Sequence, residues 1–114
     1  MAEEQRRHPR KSLQVDFRAK NASGAGQLLF EGVDLSAGGS FLRSELLLED
    51  GEALVVEFRV PGVPRLMKAQ ARVAWVRRFP RDGEPAGMGI EFLSMSEEDR
   101  SILESYLETV GGGW

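Results

Sequence analysis

Residues 13–20 read Leu13-Gln14-Val15-Asp16-Phe17-Arg18-Ala19-Lys20. Leu13, Val15, Phe17 and Ala19 fall on one side, and Gln14, Asp16, Arg18 and Lys20 on the other. A strand turns successive side chains to opposite faces, so this alternation predicts a strand with one face on a core and the other in water. Asn21 to Gly26 then gives a turn of Gly, Ser and Asn, and Gln27 to Leu35 reads as a second strand. The run Ser36-Ala37-Gly38-Gly39 interrupts it, and extended structure resumes over Ser40 to Arg43. A further strand is predicted over Ala53 to Val60, where Val55 is apolar and Glu57 and Arg59 are polar. The run Val60-Pro61-Gly62-Val63-Pro64 ends it, because proline removes a ladder donor. Leu66 to Arg78 makes a long strand, Phe79 to Pro85 a loop, and Gly87 to Leu93 the last strand.

The period then changes. Ser96 followed by Glu97, Glu98 and Asp99 places a capping serine and three acids where a helix begins. Ile102, Leu103, Tyr106, Leu107 and Val110 recur at helical spacing, until Gly111-Gly112-Gly113 stops the pattern. Asp99, Arg100, Glu104, Ser105 and Glu108 form the other face, expected in water. These elements predict an all-β chain with one helix: a six-stranded antiparallel barrel closed by a C-terminal α-helix. Phe41 and Trp75 are both expected in its interior, where aromatic side chains of small barrels belong.

The chain has 114 residues, 41% hydrophobic and 29% charged, which fits one soluble globular domain. No apolar run approaches the ~20 residues that cross a bilayer, so membrane insertion is not expected. Met1 to Arg10 is polar and unlike a secretory signal. The absence of cysteine excludes disulfides, thiolate metal sites and cysteine nucleophiles, and suits the cytoplasm. With one histidine, at His8, a metal site is not expected. A net charge of −3 argues against general binding of DNA or RNA. The charge is uneven, though: Arg6, Arg7, Arg10 and Lys11 crowd one end, and a local basic cluster on an acidic chain suits a small anion.

Two constellations carry chemistry. In Arg6-Arg7-His8-Pro9-Arg10 the outer arginines stand four apart. Guanidinium forks match phosphate oxygens and the O6/N7 edge of guanine. Taken alone, such a run is usually a solvated basic tail. In Asp34-Leu35-Ser36-Ala37-Gly38-Gly39 the pattern is D-x-S-x-x-G. The carboxylate can accept from guanine N–H groups, the serine can donate or accept, and Gly39 allows backbone angles or a close approach that a Cβ blocks. Taken alone, this is an ordinary turn between strands. Asp82-Gly83-Glu84 and Glu49-Asp50-Gly51-Glu52 read as acidic turns rather than catalytic pairs, and no serine sits in a nucleophile motif.

Together the two motifs, in this order, resemble the PilZ domain family, whose members bind cyclic di-GMP. Arg72-Val73-Ala74-Trp75-Val76 and Gly87-Met88-Gly89-Ile90-Glu91-Phe92 are similar to the family's later strands, and Phe41 to the apolar residue that follows its motif. The resemblance implies a six-stranded barrel with an arginine arm that folds over the ligand. Arg6 and Arg10 would contact phosphates and guanine, with Arg7 as an additional contact, while Asp34, Ser36 and Gly39 would hold the base. It implies no catalysis and no cofactor beyond the ligand itself. The expected organisation is an arm over 1–12, a barrel over 13–110 that includes a helix at about 97–110, and a tail over 111–114. No output domain is read in the chain, so the signal is expected to pass to an unidentified effector protein or through self-association. The alternative is an adaptor of the same fold that binds protein without nucleotide, though such relatives typically lack the motif residues kept here. Whether one nucleotide binds or an intercalated pair is left open by Gln5, the residue before the arginine run.

Overall fold

The computed structural model describes residues 11–21 and 26–109. Six strands, β1 (Lys11–Asn21), β2 (Gln27–Leu35), β3 (Gly39–Arg43), β4 (Ala53–Phe58), β5 (Met67–Arg77) and β6 (Gly87–Met95), are followed by one helix, α1 (Glu97–Thr109). All neighbours are antiparallel, and the sheet closes on itself in the order β1-β2-β3-β6-β5-β4. The expected barrel with its terminal helix is therefore present. Strand ends move by one or two residues from their expected positions, as ends commonly do. Arg6, Arg7, His8, Arg10 and the 111–114 tail lie outside the described residues.

The alternation that marks β1 is realised in space. Val15, Phe17 and Ala19 are buried while Asp16, Arg18 and Lys20 are exposed. Leu54, Val56 and Phe58 do the same from β4, and Met67, Ala69, Ala71 and Val73 from β5. Phe17 lies opposite Phe58 in the register, with ring centroids 4.8 Å apart, and Phe92 stacks on Phe58 at 5.6 Å. Removing any one of these rings would cost about 3–5 kcal/mol, from lost burial and the cavity left behind.

The helix seals one end of the barrel. Its start is capped by Ser96, whose Oγ accepts from the Asp99 N–H at 3.0 Å. Leu103 and Leu107 join the barrel core, with Ile102 and Tyr106 packed at their sides. Asp99 corrects the expectation that it faces water, being only 6% exposed. Its carboxylate accepts from Arg65 Nε at 2.5 Å and from the Lys68 N–H at 3.3 Å. A buried carboxylate needs such partners, and here they tie the first helical turn to the start of β5. The hydrogen bond to Asp99 holds the Arg65 guanidinium protonated even more firmly than usual. Desolvation pushes the Tyr106 phenol above its ordinary range.

Trp75 is a second correction. It is 43% exposed and lies outside the barrel. Strict alternation from the buried Val73 would carry residue 75 inward. The β5–β6 register shifts between Val73 and Trp75, so the phase flips and Val76 takes the inward position. Phe41 is buried, as expected, but not in the barrel core. Its neighbours Ser40 and Leu42 take the inner face of β3, which leaves the Phe41 ring on the outer one.

Candidate functional site

The segment from Asp34 to Gly39 folds into a turn that closes on itself. Ser36 is 2% exposed, and its Oγ accepts from the N–H groups of Gly38 at 3.1 Å and Gly39 at 3.2 Å. The Ser36 N–H donates to the Gly39 carbonyl at 2.9 Å, and the Phe92 N–H donates to the Gly38 carbonyl at 2.9 Å, which ties the turn to β6. Gly39 serves by close approach and not by unusual backbone angles: a Cβ there would collide with the Ile90 carbonyl oxygen. Ser36 and Gly39 therefore shape the turn from within.

Asp34 has a different task. The β2–β3 ladder is short, pairing only Glu31 with Arg43 and Gly32 with Leu42. Beyond it, Asp34 Oδ1 accepts from the Phe41 N–H at 2.8 Å, and Ser40 Oγ donates to the Asp34 carbonyl at 2.6 Å. Side chains thus replace the missing ladder bonds. Asp34 as a residue is half-buried, and a carboxylate has about four acceptor positions in all.

Outward from the turn, three cross-strand rows span β3, β6 and β5: Gly39–Glu91–Arg72, then Phe41–Gly89–Trp75, then Arg43–Gly87–Arg77. The two glycines of β6 make the middle of this face bare backbone. The Trp75 indole occupies the space that a Cβ of Gly89 would need, and the Phe41 ring does the same at Gly87. The two rings stack with centroids 5.4 Å apart and planes inclined by 20°. The Arg77 guanidinium lies 5.2 Å from the Phe41 centroid and 5.1 Å from that of Trp75. The result is a flat aromatic strip with a cation across it, open to solvent on the Trp75 side.

The arginines of this face are charge-balanced. Arg43 pairs with Glu31, Arg72 with Glu91 at 3.0 Å, and Arg77 with Glu84 at 2.6 Å. Exposed pairs of this kind are worth only about 0–1 kcal/mol and are readily exchanged for another anion. The start of β1 lies beside the turn, because Lys11 is opposite Leu35 and Ser12 opposite Asp34.

Of the residues singled out in the sequence, Asp34, Ser36 and Gly39 come together in one turn. The strip of Phe41, Trp75 and Arg77 was missed. A signal for it existed in the paired glycines of Gly87-Met88-Gly89, since glycine inside a strand often marks a place where something lies close against the backbone. Among the described residues no cluster of three or more His, Asp or Glu is arranged to hold a metal. Nor is any helix among them long and apolar enough to cross a membrane.

A closed six-stranded antiparallel barrel with one capping helix and a serine-locked turn beside an outer aromatic strip defines a small β-barrel domain with one candidate ligand face. The sequence profile of the PilZ domain matches residues 4–109, and the chain belongs to that family. Solved structures share the fold. The inhibitor of motility MotI (DgrA) from Bacillus subtilis superposes with a TM-score of 0.75 at 22% identity, over 89% of this chain and 48% of its own. YcgR from Escherichia coli, solved in complex with c-di-GMP, gives 0.75 at 20% identity, over 94% and 46%. The isolated PilZ domain of YcgR with c-di-GMP gives 0.68 at 21% identity, over 94% and 92%. The chain spans about half the length of the MotI chain and of the first of these YcgR chains. No relative among curated protein sequences matches it.

Proposed function

We propose that this chain is a receptor for cyclic di-GMP that passes its bound state to a partner protein. The observation that carries the reading is the register of β1 against β2. It lays Lys11 and Ser12, the residues that follow the arginine run in sequence, beside the Asp34–Gly39 turn. On this reading the arginine run, Arg6, Arg7 and Arg10, joins that turn in one site, although more than twenty residues separate the two motifs in sequence. The division of labour follows from charge. The barrel face offers acceptor atoms on Asp34 and planar groups on Phe41 and Trp75 that suit guanine, but its arginines already have acidic partners. The arm supplies further guanidinium charge for the phosphates. Ser36 and Gly39 act by holding the turn, and Asp34 by accepting from the base.

The reading is of a binding module without turnover, working in the cytoplasm, and an output such as motility or biofilm formation would lie in its partner. Calorimetric titration with cyclic di-GMP tests it and gives stoichiometry at the same time. Saturable heat is expected from the wild type. Arg10→Ala and Asp34→Ala should each weaken binding by at least about tenfold, the loss of one charge-assisted contact. The nucleotide should be recovered intact afterwards. No heat from the folded wild type would overturn the receptor reading and leave an adaptor that binds protein alone.

A further inference from the structure

The hairpin joining β5 to β6 carries, beyond Trp75 and Arg77, side chains that the nucleotide reading does not use. Trp75, Val76, Arg77, Arg78, Phe79 and Pro80, with Arg81, line a surface cavity of about 560 Å³. Phe79 stands at its rim, 78% exposed. Arg77 is paired with Glu84, but neither Arg78 nor Arg81 makes an ion pair within the described residues. The backbone presenting these groups is held firmly. Arg81 and Glu84 exchange two hydrogen bonds of 2.9 and 2.8 Å, around Asp82 at φ 53° and Gly83 at φ 80°. That is the two-residue hairpin turn whose twist matches its strands.

We propose that the Phe79 end of this cavity docks an acidic segment of a partner protein, with one apolar side chain packing on Phe79 and flanking carboxylates meeting Arg78 and Arg81. Aromatic residues and arginine are the types that dominate protein interfaces, and an exposed aromatic on a pre-ordered loop binds with little ordering cost. Charge selects the class of partner. Arg78 and Arg81 make no ion pair among the described residues, while Glu84 is taken up by Arg77, so the cavity can complement two or three carboxylates at short range. A nucleic acid needs a longer basic track than a chain at −3 provides. The site also stands apart from the motif turn. Arg77 is level with Arg43, four residues along β3 from Gly39, and Phe79 lies two residues further on. At ~3.3 Å per residue this separates Phe79 from Gly39 by roughly 20 Å.

The test uses fluorescence anisotropy with a labelled decapeptide of Asp and Glu around one central Leu. The same peptide built on Lys, a short oligothymidylate and unlabelled cyclic di-GMP serve as comparisons. Saturable binding of the acidic peptide is expected. The double substitution Arg78→Ala, Arg81→Ala and the single Phe79→Ala should each weaken it by about tenfold, with unchanged thermal melting because all three side chains are exposed. Four results would overturn the proposal: no binding up to about 1 mM peptide, undiminished binding to the variants, tighter binding of the oligothymidylate, or displacement of the peptide by cyclic di-GMP. The last would assign the cavity to the nucleotide. The receptor reading is tested separately, by Arg10→Ala and Asp34→Ala, which leave this hairpin untouched.

Discussion

Two glycines on the outer face, Gly39 and Gly89, should respond to the same substitution in opposite ways. At Gly39 an added methyl meets the Ile90 carbonyl oxygen, with the Glu91 Cα also close, so the obstacle is backbone. The β3–β6 ladder must open to admit it. Overpacking of this kind costs about 1–3 kcal/mol, and each ladder hydrogen bond lost adds about 0.5–1.5 kcal/mol. Gly39→Ala should therefore cost about 3 kcal/mol, a large part of the ~5–15 kcal/mol that holds a domain folded. For a domain of this size that lowers the melting temperature by roughly 10–15 °C. At Gly89 the obstacle is the Trp75 indole, which is 43% exposed and can swing into solvent. The loss is the stack on Phe41, about 0.5–1.5 kcal/mol, offset by the ~0.5–1 kcal/mol that alanine gains over glycine in a strand. Gly89→Ala should melt within a few degrees of the wild type. Its Trp75 emission should shift to the red, read in a Trp114→Phe background so that Trp75 is the sole tryptophan. Circular dichroism melts and emission spectra of the two variants decide the matter. Equal destabilisation would refute the distinction between backbone and side-chain obstacles. If Gly39→Ala melts normally yet loses nucleotide, that glycine acts on the ligand and not on the fold.

Trp75→Ala should cost only about 1–2 kcal/mol, well short of the ~3–5 kcal/mol typical of a core tryptophan, as chemical denaturation would show. Ser36→Ala strips the buried turn of the acceptor for two N–H groups. It should destabilise by about 1–3 kcal/mol even without ligand, and an unchanged melt would mean that the hydroxyl is not the turn's lock. Tyr106 is the chain's one tyrosine, so its titration can be followed by absorbance near the tyrosinate band. Its folded-state pKa lies above the unfolded value of about 10, so stability from burying the neutral phenol is intact at neutral pH and is lost as pH rises through the raised value. A midpoint at or below that of a free tyrosine peptide would contradict the burial. Ser96→Ala removes the helix cap and should cost about 1 kcal/mol in a thermal melt.

The strands were legible because β1, β4 and β5 alternate cleanly over most of their length, and a period of two belongs to half-buried strands and to little else. The helix was legible because Ser96 and its acids precede an apolar stripe of helical spacing. Trp75 was misplaced for a physical reason: one bulge inverts the phase of every residue after it, and nothing local in Arg72-Val73-Ala74-Trp75-Val76 announces the extra residue. Phe41 was read as interior because burial and interior position usually coincide, and here a second ring and a guanidinium cover it from outside. Asp99 looked like a surface acid on the polar face of the helix. Its burial depends on Arg65 and the Lys68 N–H, more than thirty residues away in sequence, which no local pattern encodes. For the site, residue types told which groups could recognise a nucleotide. Only the fold told that Ser36 and Gly39 spend their polar and steric properties inside the turn, while the Asp34 carboxylate bridges to the Phe41 N–H beyond the short β2–β3 ladder.

The closure of the barrel by β1 against β4 has a consequence for how this molecule meets others. A sheet that joins its first strand back onto itself has no free edge strand, and among the described residues a foreign strand finds only short stretches outside the ladders, such as residues 27–30 beyond the two pairs of β2 with β3. Long strand-to-strand polymers are disfavoured by the same geometry. Recognition is written mainly in outward side chains on a convex wall, one position at a time. Outward positions such as Leu29, Arg78 and Phe79 can therefore change to suit a new partner while the inward set built around Phe17, Phe58 and Phe92 stays as it is.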